Sequence, residues 1–288
     1  MSLKFICNLF TPEESDVIVF GVPLGKNSKI ALNSLRKISD FVEPFDIDKK
    51  RNLLENVKIA DTGDLKLKKL DEITKKTREI VGKNKVPLIL GGGHLLTFFA
   101  LKAFENVKLI VFDAHCDLKD EYEDEIIKDL DFVKGIKFNP KINDATWLRR
   151  TCEFLEPKNI MLVGIRSCDE DEFDFMEKNG ISYITPNQIK DNLQEAEEKL
   201  KEFTKDSRLY ISVDIDAFDP SFAPAVHHPE PNGISFREFS RLINAIDGKI
   251  VGLDLTCLRP ITDNKVTEFL AIRSVFEVEG KIQEKIGN

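Results

Sequence analysis

The sequence predicts an α/β protein in which helices cover both faces of a parallel sheet. Three observations carry that reading. Eight short apolar, β-branched runs recur along the 288 residues, each the pattern of a strand buried on both faces. Between several of them lie longer charge-rich segments whose apolar spacing is helical. The composition, 42% hydrophobic and 32% charged, is that of an ordinary soluble chain with enough apolar material for a sizeable core.

The runs come in order. "DVIVFG" (16–21) and "VKIAD" (57–61) come first, followed by the amphipathic "KLDEITKKTREIVGKNK" (69–85). "KVPLILGGG" (85–93) and "VKLIVFDAH" (107–115) follow, then the dense acidic run "DEYEDEIIKDLD" (120–131), which lacks the glycine and spacing of a calcium loop and reads as a solvated loop. "NIMLVGIRS" (159–167) and "ISYIT" (181–185) lead into one long helical segment, "NQIKDNLQEAEEKLKEFTKD" (187–206). "RLYISVDID" (208–216) and "KIVGLDL" (249–255) complete the set. Alternation of such strands with helices is the signature of a parallel sheet. With no repeat, low-complexity tract or Gly/Ser linker to mark a boundary, residues 1–288 read as one domain.

The net charge of -8 argues against nucleic acid or an anionic membrane as partner. The cysteines, Cys7, Cys116, Cys152, Cys168 and Cys257, are odd in number and without CxxC spacing, as expected of reduced thiols in a cytoplasm. The N-terminal apolar run is too short for a signal peptide, and no run of about 18 apolar residues could span a bilayer. A cytoplasmic protein acting on a small molecule is expected.

In open α/β sheets, ligands gather at the carboxyl ends of strands. Three of those ends are unusual: "GGGH" carries His94, "DAHCD" carries Asp113, His115 and Asp117, and "DID" carries Asp214 and Asp216. Alternation along an extended chain would put Asp113, His115 and Asp117 on one side, and likewise Asp214 and Asp216. Unrelated solvated carboxylates are the bland alternative. Burying them together without a cation, however, carries a large like-charge and desolvation cost. Four carboxylates balance two divalent cations, and this oxygen-rich set with two imidazoles suits Mn²⁺ better than structural zinc, with Fe, Co, Ni and Zn left open by ligand type.

At these residues the sequence resembles the ureohydrolase family, that is arginase, agmatinase, formimidoylglutamase and their relatives. The likeness runs from about Val17 to about Glu279 through "VIVFGVP", "DTGDL", "GGGH", "DAHCD", "VGIRS", "SVDIDAFDPSFAPA", "PEPNG" and "GLDL....P", in the family's order. It implies a three-layer α/β/α fold with a mostly parallel sheet of about eight strands, assembled into a homo-oligomer, trimer or hexamer. It also implies that His94, Asp113, Asp117 and Asp214 hold one Mn²⁺ and His115, Asp113, Asp214 and Asp216 the other, with Asp113 and Asp214 bridging. The two cations then share a hydroxide that attacks a guanidino carbon and releases urea and an amine, while Asp117 orients it and passes a proton to the leaving amine. "PEPNG" is closer to the agmatinase form of its loop and "DPSFAPA" to arginase. Agmatine is thus the leading substrate, which would place the chain in polyamine metabolism.

Five positions depart from the family pattern. Asp144, in "NDATWLRR", stands where a proton-shuttling histidine is usual; Cys257 stands where a glutamate pairs with the guanidinium; Gly93 replaces an aspartate before His94. In "FAPAVHHPEPNG", His227 and His228 replace the small residues of a loop beside the pocket. With His94 and His115 committed to metal, these two are the histidines left to titrate near neutral pH. The expectation is that His228 joins Asp117 and Asp144 as catalytic groups, restoring the shuttle, and that His227 and Cys257 contact substrate. Cys257 as a small buried hydrophobe, or as a nucleophile made redundant by the metal motifs, are the other readings. A hydrolase of a non-guanidino C-N bond, and a catalytically weak metal-binding paralogue or subunit, are the alternative functions.

Overall fold

The computed structural model describes residues 3–6, 10–130, 132–260 and 264–286. Cys7 and Asp131, both within stretches read above, lie outside them. The elements in chain order are β1 (Val17–Val22), α1 (Ser28–Ser39), β2 (Phe45–Asp46), β3 (Arg51–Asn52), β4 (Ile59–Asp64), α2 (Asp71–Gly82), β5 (Val86–Gly91), α3 (Leu95–Leu101) and β6 (Lys108–Phe112). The chain continues with α4 (Glu125–Leu130), α5 (Trp147–Thr151), β7 (Ile160–Val163), α6 (Glu170–Asn179), β8 (Ser182–Ile184), α7 (Pro186–Asp191) and α8 (Leu193–Thr204). Then come β9 (Arg208–Asp214), α9 (Phe236–Ala245), β10 (Lys249–Thr256) and α10 (Val266–Ile286).

All eight apolar runs become strands of one sheet, in the order β4-β1-β5-β10-β9-β6-β7-β8, and every pairing within it is parallel. A three-layer α/β/α fold results. The runs are buried on both faces because each strand feeds two cores. Val17, Val19, Leu88, Leu90, Ile110 and Phe112 face the layer holding Leu32, Phe239 and Phe276. Their neighbours Ile18, Phe20, Ile89, Leu109 and Val111 face Ile73, Phe99 and Trp147. Each such side chain contributes about 1.5–3 kcal/mol by leaving water.

Two sequence readings are corrected, and one strand pair is new. The segment 187–206 is two helices, broken at Asn192, whose φ of -151° is not helical and whose side chain caps α8 by accepting from the Glu195 N–H. The acidic run 120–131 contains the short helix α4, with Ile127 buried beneath it. The antiparallel pair β2–β3 had no sequence signal, since its two-residue strands are shorter than any periodicity can show. "DTGDL" also acquires a structural role: Asp61 and Asp64 take the guanidinium of the buried Arg36 on α1, at 2.7 and 2.6 Å.

On α10, Glu279 is fully buried, and neither carboxylate oxygen has a partner among the described residues. Burial pushes its pKa from 4.5 up to about 8. The fold therefore favours the neutral acid, so the stability that depends on Glu279 is fully present below pH 4.5 and is lost as pH rises toward 8. Glu279→Gln is expected to flatten that decline and to be more stable than the parent at alkaline pH by about 3 kcal/mol. Thermal unfolding across this pH range checks it; parallel curves for the two proteins would refute it.

Candidate metal centre

The strand order builds the site. β5 and β6 are consecutive in one half of the chain, yet β10 and β9 lie between them, so the loops leaving β5 and β6 diverge and open a crevice at the carboxyl ends of the strands. His94 follows β5, Asp113 to Asp117 follow β6, Asp214 ends β9, and Cys257 follows β10.

The six residues expected to hold metal meet there, although not by the alternation proposed above. β6 ends at Phe112, and Asp117 turns back through a left-handed φ of +52°. β9 ends at Asp214, whose Oδ1 accepts the Asp216 N–H at 2.9 Å in a single helical turn. The turns are set by contacts across the sheet, which spacing along the chain does not contain. His94 Nδ1 lies 3.0 Å from Asp113 Oδ2, 3.5 Å from Asp117 Oδ2 and 3.3 Å from Asp214 Oδ2. His115 Nδ1 lies 3.5 Å from Asp113 Oδ1 and 3.2 Å from Asp216 Oδ2. Asp113 thus faces both rings with different oxygens. Asp214 faces His94 with Oδ2.

Whether these residues suit a cation can be judged from His94 itself. Asp254 accepts from Ser212 Oγ at 2.6 Å, so the Ser212 hydroxyl proton is committed and its oxygen accepts from His94 Nε2–H at 2.8 Å. That tautomer, assigned from the network, points the Nδ1 lone pair at three carboxylate oxygens. Nδ1 is buried and has no hydrogen-bond partner among the described residues. A lone pair facing anions is repulsive unless positive charge lies between. The titration behaviour agrees: burial pulls His94 down, but Asp113, Asp117 and Asp214 outweigh it and raise it well above 6.5. Burial likewise opposes His115, which Asp113 and Asp216 push up to about 12. Burial, then the Asp113 charge, pushes Asp117 up to about 7, and burial with Asp216 and Asp113 raises Asp214. A cluster that holds protons this tightly is one a divalent cation enters by displacing them. The residues fit.

The support around them was missed by sequence reasoning. Asp254, fully buried, also accepts from Thr97 Oγ1 at 2.8 Å and from Tyr210 at 2.7 Å. A carboxylate inside the apolar run "KIVGLDL" was the available signal. The Trp147 indole N–H donates to Asp117 Oδ2 at 2.7 Å, and its ring packs on His94 at 4.5 Å. It is the chain's single tryptophan.

Two departures from the family pattern explain each other. Asp144 is buried, and its Oδ1 accepts the Leu95 N–H at 2.6 Å, where α3 starts beside His94. A Cβ at Gly93 would lie 2.4 Å from Asp144 Oδ2. The carboxylate at 144 therefore occupies space that glycine at 93 leaves open, and Asp144 holds the His94 turn in place.

A cavity of about 280 Å³ is lined by five of the six, His94, His115, Asp117, Asp214 and Asp216, and also by His227, His228, Glu230 and Cys257. The His228 ring stands edge-on to His115 at 5.8 Å. His227 departs from expectation: burial, with the charges of Arg259 and His228, lowers it to about 4, so it is neutral at pH 7. Burial and the carboxylates of Asp214, Asp144 and Asp216 raise the Cys257 thiol well above 9, and a neutral thiol cannot pair with a guanidinium. Glu230, which the sequence reading did not single out, accepts from Ser167 Oγ at 3.3 Å and lies 4.0 Å from His115 Nε2.

Comparison with known proteins gives consistent results. A family model described as "Arginase family" matches residues 15–279. An agmatinase of Halalkalibacterium halodurans is 29% identical, covering 90% of this chain and 89% of its own. An N(1)-aminopropylagmatine ureohydrolase of Thermococcus kodakarensis is 29% identical, covering 88% and 86%. The crystal structure of an agmatine ureohydrolase of Thermoplasma volcanium superposes with a TM-score of 0.85 at 28% identity, covering 99% of this chain and 96% of that one.

Proposed function

The chain belongs to the arginase family of hydrolases that act on carbon-nitrogen bonds other than peptide bonds, and from that premise we propose that it is a two-cation ureohydrolase with agmatine as the leading substrate. The observation that carries the proposal is the buried His94 Nδ1 among three carboxylate oxygens. On this reading His94, Asp113, Asp117 and Asp214 hold one cation and His115, Asp113, Asp214 and Asp216 the other. Mn²⁺ suits the oxygen-rich set. When bound, such a pair of cations supplies a water nucleophile at neutral pH.

The protein's own groups do the rest. Trp147 fixes the Asp117 carboxylate through Oδ2, so that it can hold a proton beside the leaving amine. Asp124, Asp169, Glu172 and Glu230 add negative charge to the pocket, whose one lysine, Lys119, is paired to Asp169 and Glu172. A cationic substrate is favoured. Glu230 supplies the carboxylate for its guanidinium that Cys257 cannot. His228, beside His115, takes the proton-shuttle role, and His227 contributes a neutral ring to the wall.

Urea release by Mn²⁺-loaded protein from agmatine, arginine and a panel of guanidino acids tests the function. Urea from agmatine, lost in His115→Ala, is expected; two bound metals with no urea from any of these compounds would reject it. His228→Ala is expected to lower kcat about a hundredfold with little change in KM. Unchanged kcat would remove His228 from the mechanism. The neutral thiol at position 257 favours a second reading, a C-N substrate without a guanidinium, which ammonia or formamide release in place of urea would reveal.

A further inference from the structure

Cys257 is the third member of a set whose other two members are His94 and Asp214. One ring nitrogen of His94, one carboxylate oxygen of Asp214 and the Cys257 sulfur all lie within 4.8 Å of one another. A single ion making bonds of about 2.0 to 2.3 Å to nitrogen, oxygen and sulfur fits among atoms this close. The backbone holds the thiol there. Cys257 has a φ of +63°, a conformation that non-glycine residues seldom adopt, and its N–H donates to Gly92 O at 2.7 Å, tying it to the turn that carries His94. Asp117, in the same site, has a φ of +52°. Conformations of this kind persist where the surrounding structure over-determines them.

Two further thiols line the cavity, Cys116 and Cys168. Among the described residues neither belongs to a group of possible ligands. The sulfur chemistry of the centre is therefore specific to one position.

We propose that Cys257 is a protein ligand of the cation on the His94 side, which makes that position a nitrogen, oxygen and sulfur site. On coordination the S–H bond breaks, a sulfur-metal bond forms, and the proton leaves to solvent. Thiolate is a soft ligand, so the His94 position takes Zn²⁺ or Co²⁺ in preference to Mn²⁺. The His115 position, with imidazole and carboxylates alone, keeps the preference of an oxygen-rich site. This inference rests on the two-cation reading above and changes the role of Cys257 from substrate contact to metal ligand.

Titration of the full chain with Co²⁺ tests it without any substrate. Visible absorption reports that cobalt is bound, and a near-ultraviolet band reports thiolate-to-cobalt charge transfer. The expected result is a charge-transfer band in the parent, in Cys116→Ser and in Cys168→Ser, and its loss in Cys257→Ser with the visible bands retained. Competition between Zn²⁺ and Mn²⁺ is expected to shift toward Mn²⁺ at least about tenfold in Cys257→Ser. Cobalt bound by the parent without a charge-transfer band, or a band that survives Cys257→Ser, would overturn the assignment of Cys257 and leave the two-cation reading standing. No bound cobalt at all would overturn both. The measurement on the parent stands even if a variant fails to fold.

Discussion

Asp214→Asn is expected to reduce urea release from agmatine at least about a thousandfold, equivalent to about 4 kcal/mol in the transition state. Asp214 is buried and presents Oδ2 to His94 at 3.3 Å while Oδ1 accepts the Asp216 N–H. Asparagine keeps the second contact, so the turn at 214–216 survives, but it removes one negative charge and turns a donor toward the place proposed for the cations. The same change should raise the unfolding temperature of metal-free protein. Burial and the Asp216 and Asp113 charges disfavour the Asp214 carboxylate, and the amide relieves that repulsion. The two effects have opposite signs, which separates loss of metal from loss of fold. Metal content, urea release and metal-free thermal unfolding measured together decide it; a variant that binds two metals and turns over normally would refute the role given to Asp214.

Asp254→Ala should cost about 3–5 kcal/mol of stability, or about 10 °C in unfolding temperature. Three hydroxyls, on Ser212, Thr97 and Tyr210, donate to this one carboxylate in a fully buried position. Alanine leaves all three without their acceptor. Ser212 is then free to turn its proton toward His94 Nε2, which favours the tautomer with the proton on Nδ1, the nitrogen that faces the Asp113, Asp117 and Asp214 carboxylates. Metal affinity is expected to fall about 10- to 100-fold. Calorimetry and metal titration check the two effects. Wild-type values in both would mean that the Asp254 network neither supports the fold nor orients His94.

Much of this was legible in the chain itself. Each of the eight strands of the sheet announced itself through a local apolar run, because a strand buried on both faces must be apolar at successive positions. His94, Asp113, His115, Asp117, Asp214 and Asp216 were legible for a related reason: charged and imidazole side chains stand out where a buried strand gives way to a loop. Asp254 carried the same signal inside β10 and went unused. The break at Asn192 was harder to see, because the apolar spacing continues across it and only the cap geometry interrupts the helix.

By itself, then, the sequence determined the layers, the strands and the identity of the groups that gather at the strand ends, since all of these follow from residue type and spacing within a few positions. Tertiary structure alone decided which ends meet. The placing of β10 and β9 between β5 and β6 brings Cys257 beside His94, residues far apart in the chain. It also seats the Asp144 carboxylate in the space beside Gly93 and makes His227 neutral through burial and Arg259. Distances, tautomers and pKa values belong to groups brought together from separate strands and loops, and their fields and sterics exist only once the sheet has closed.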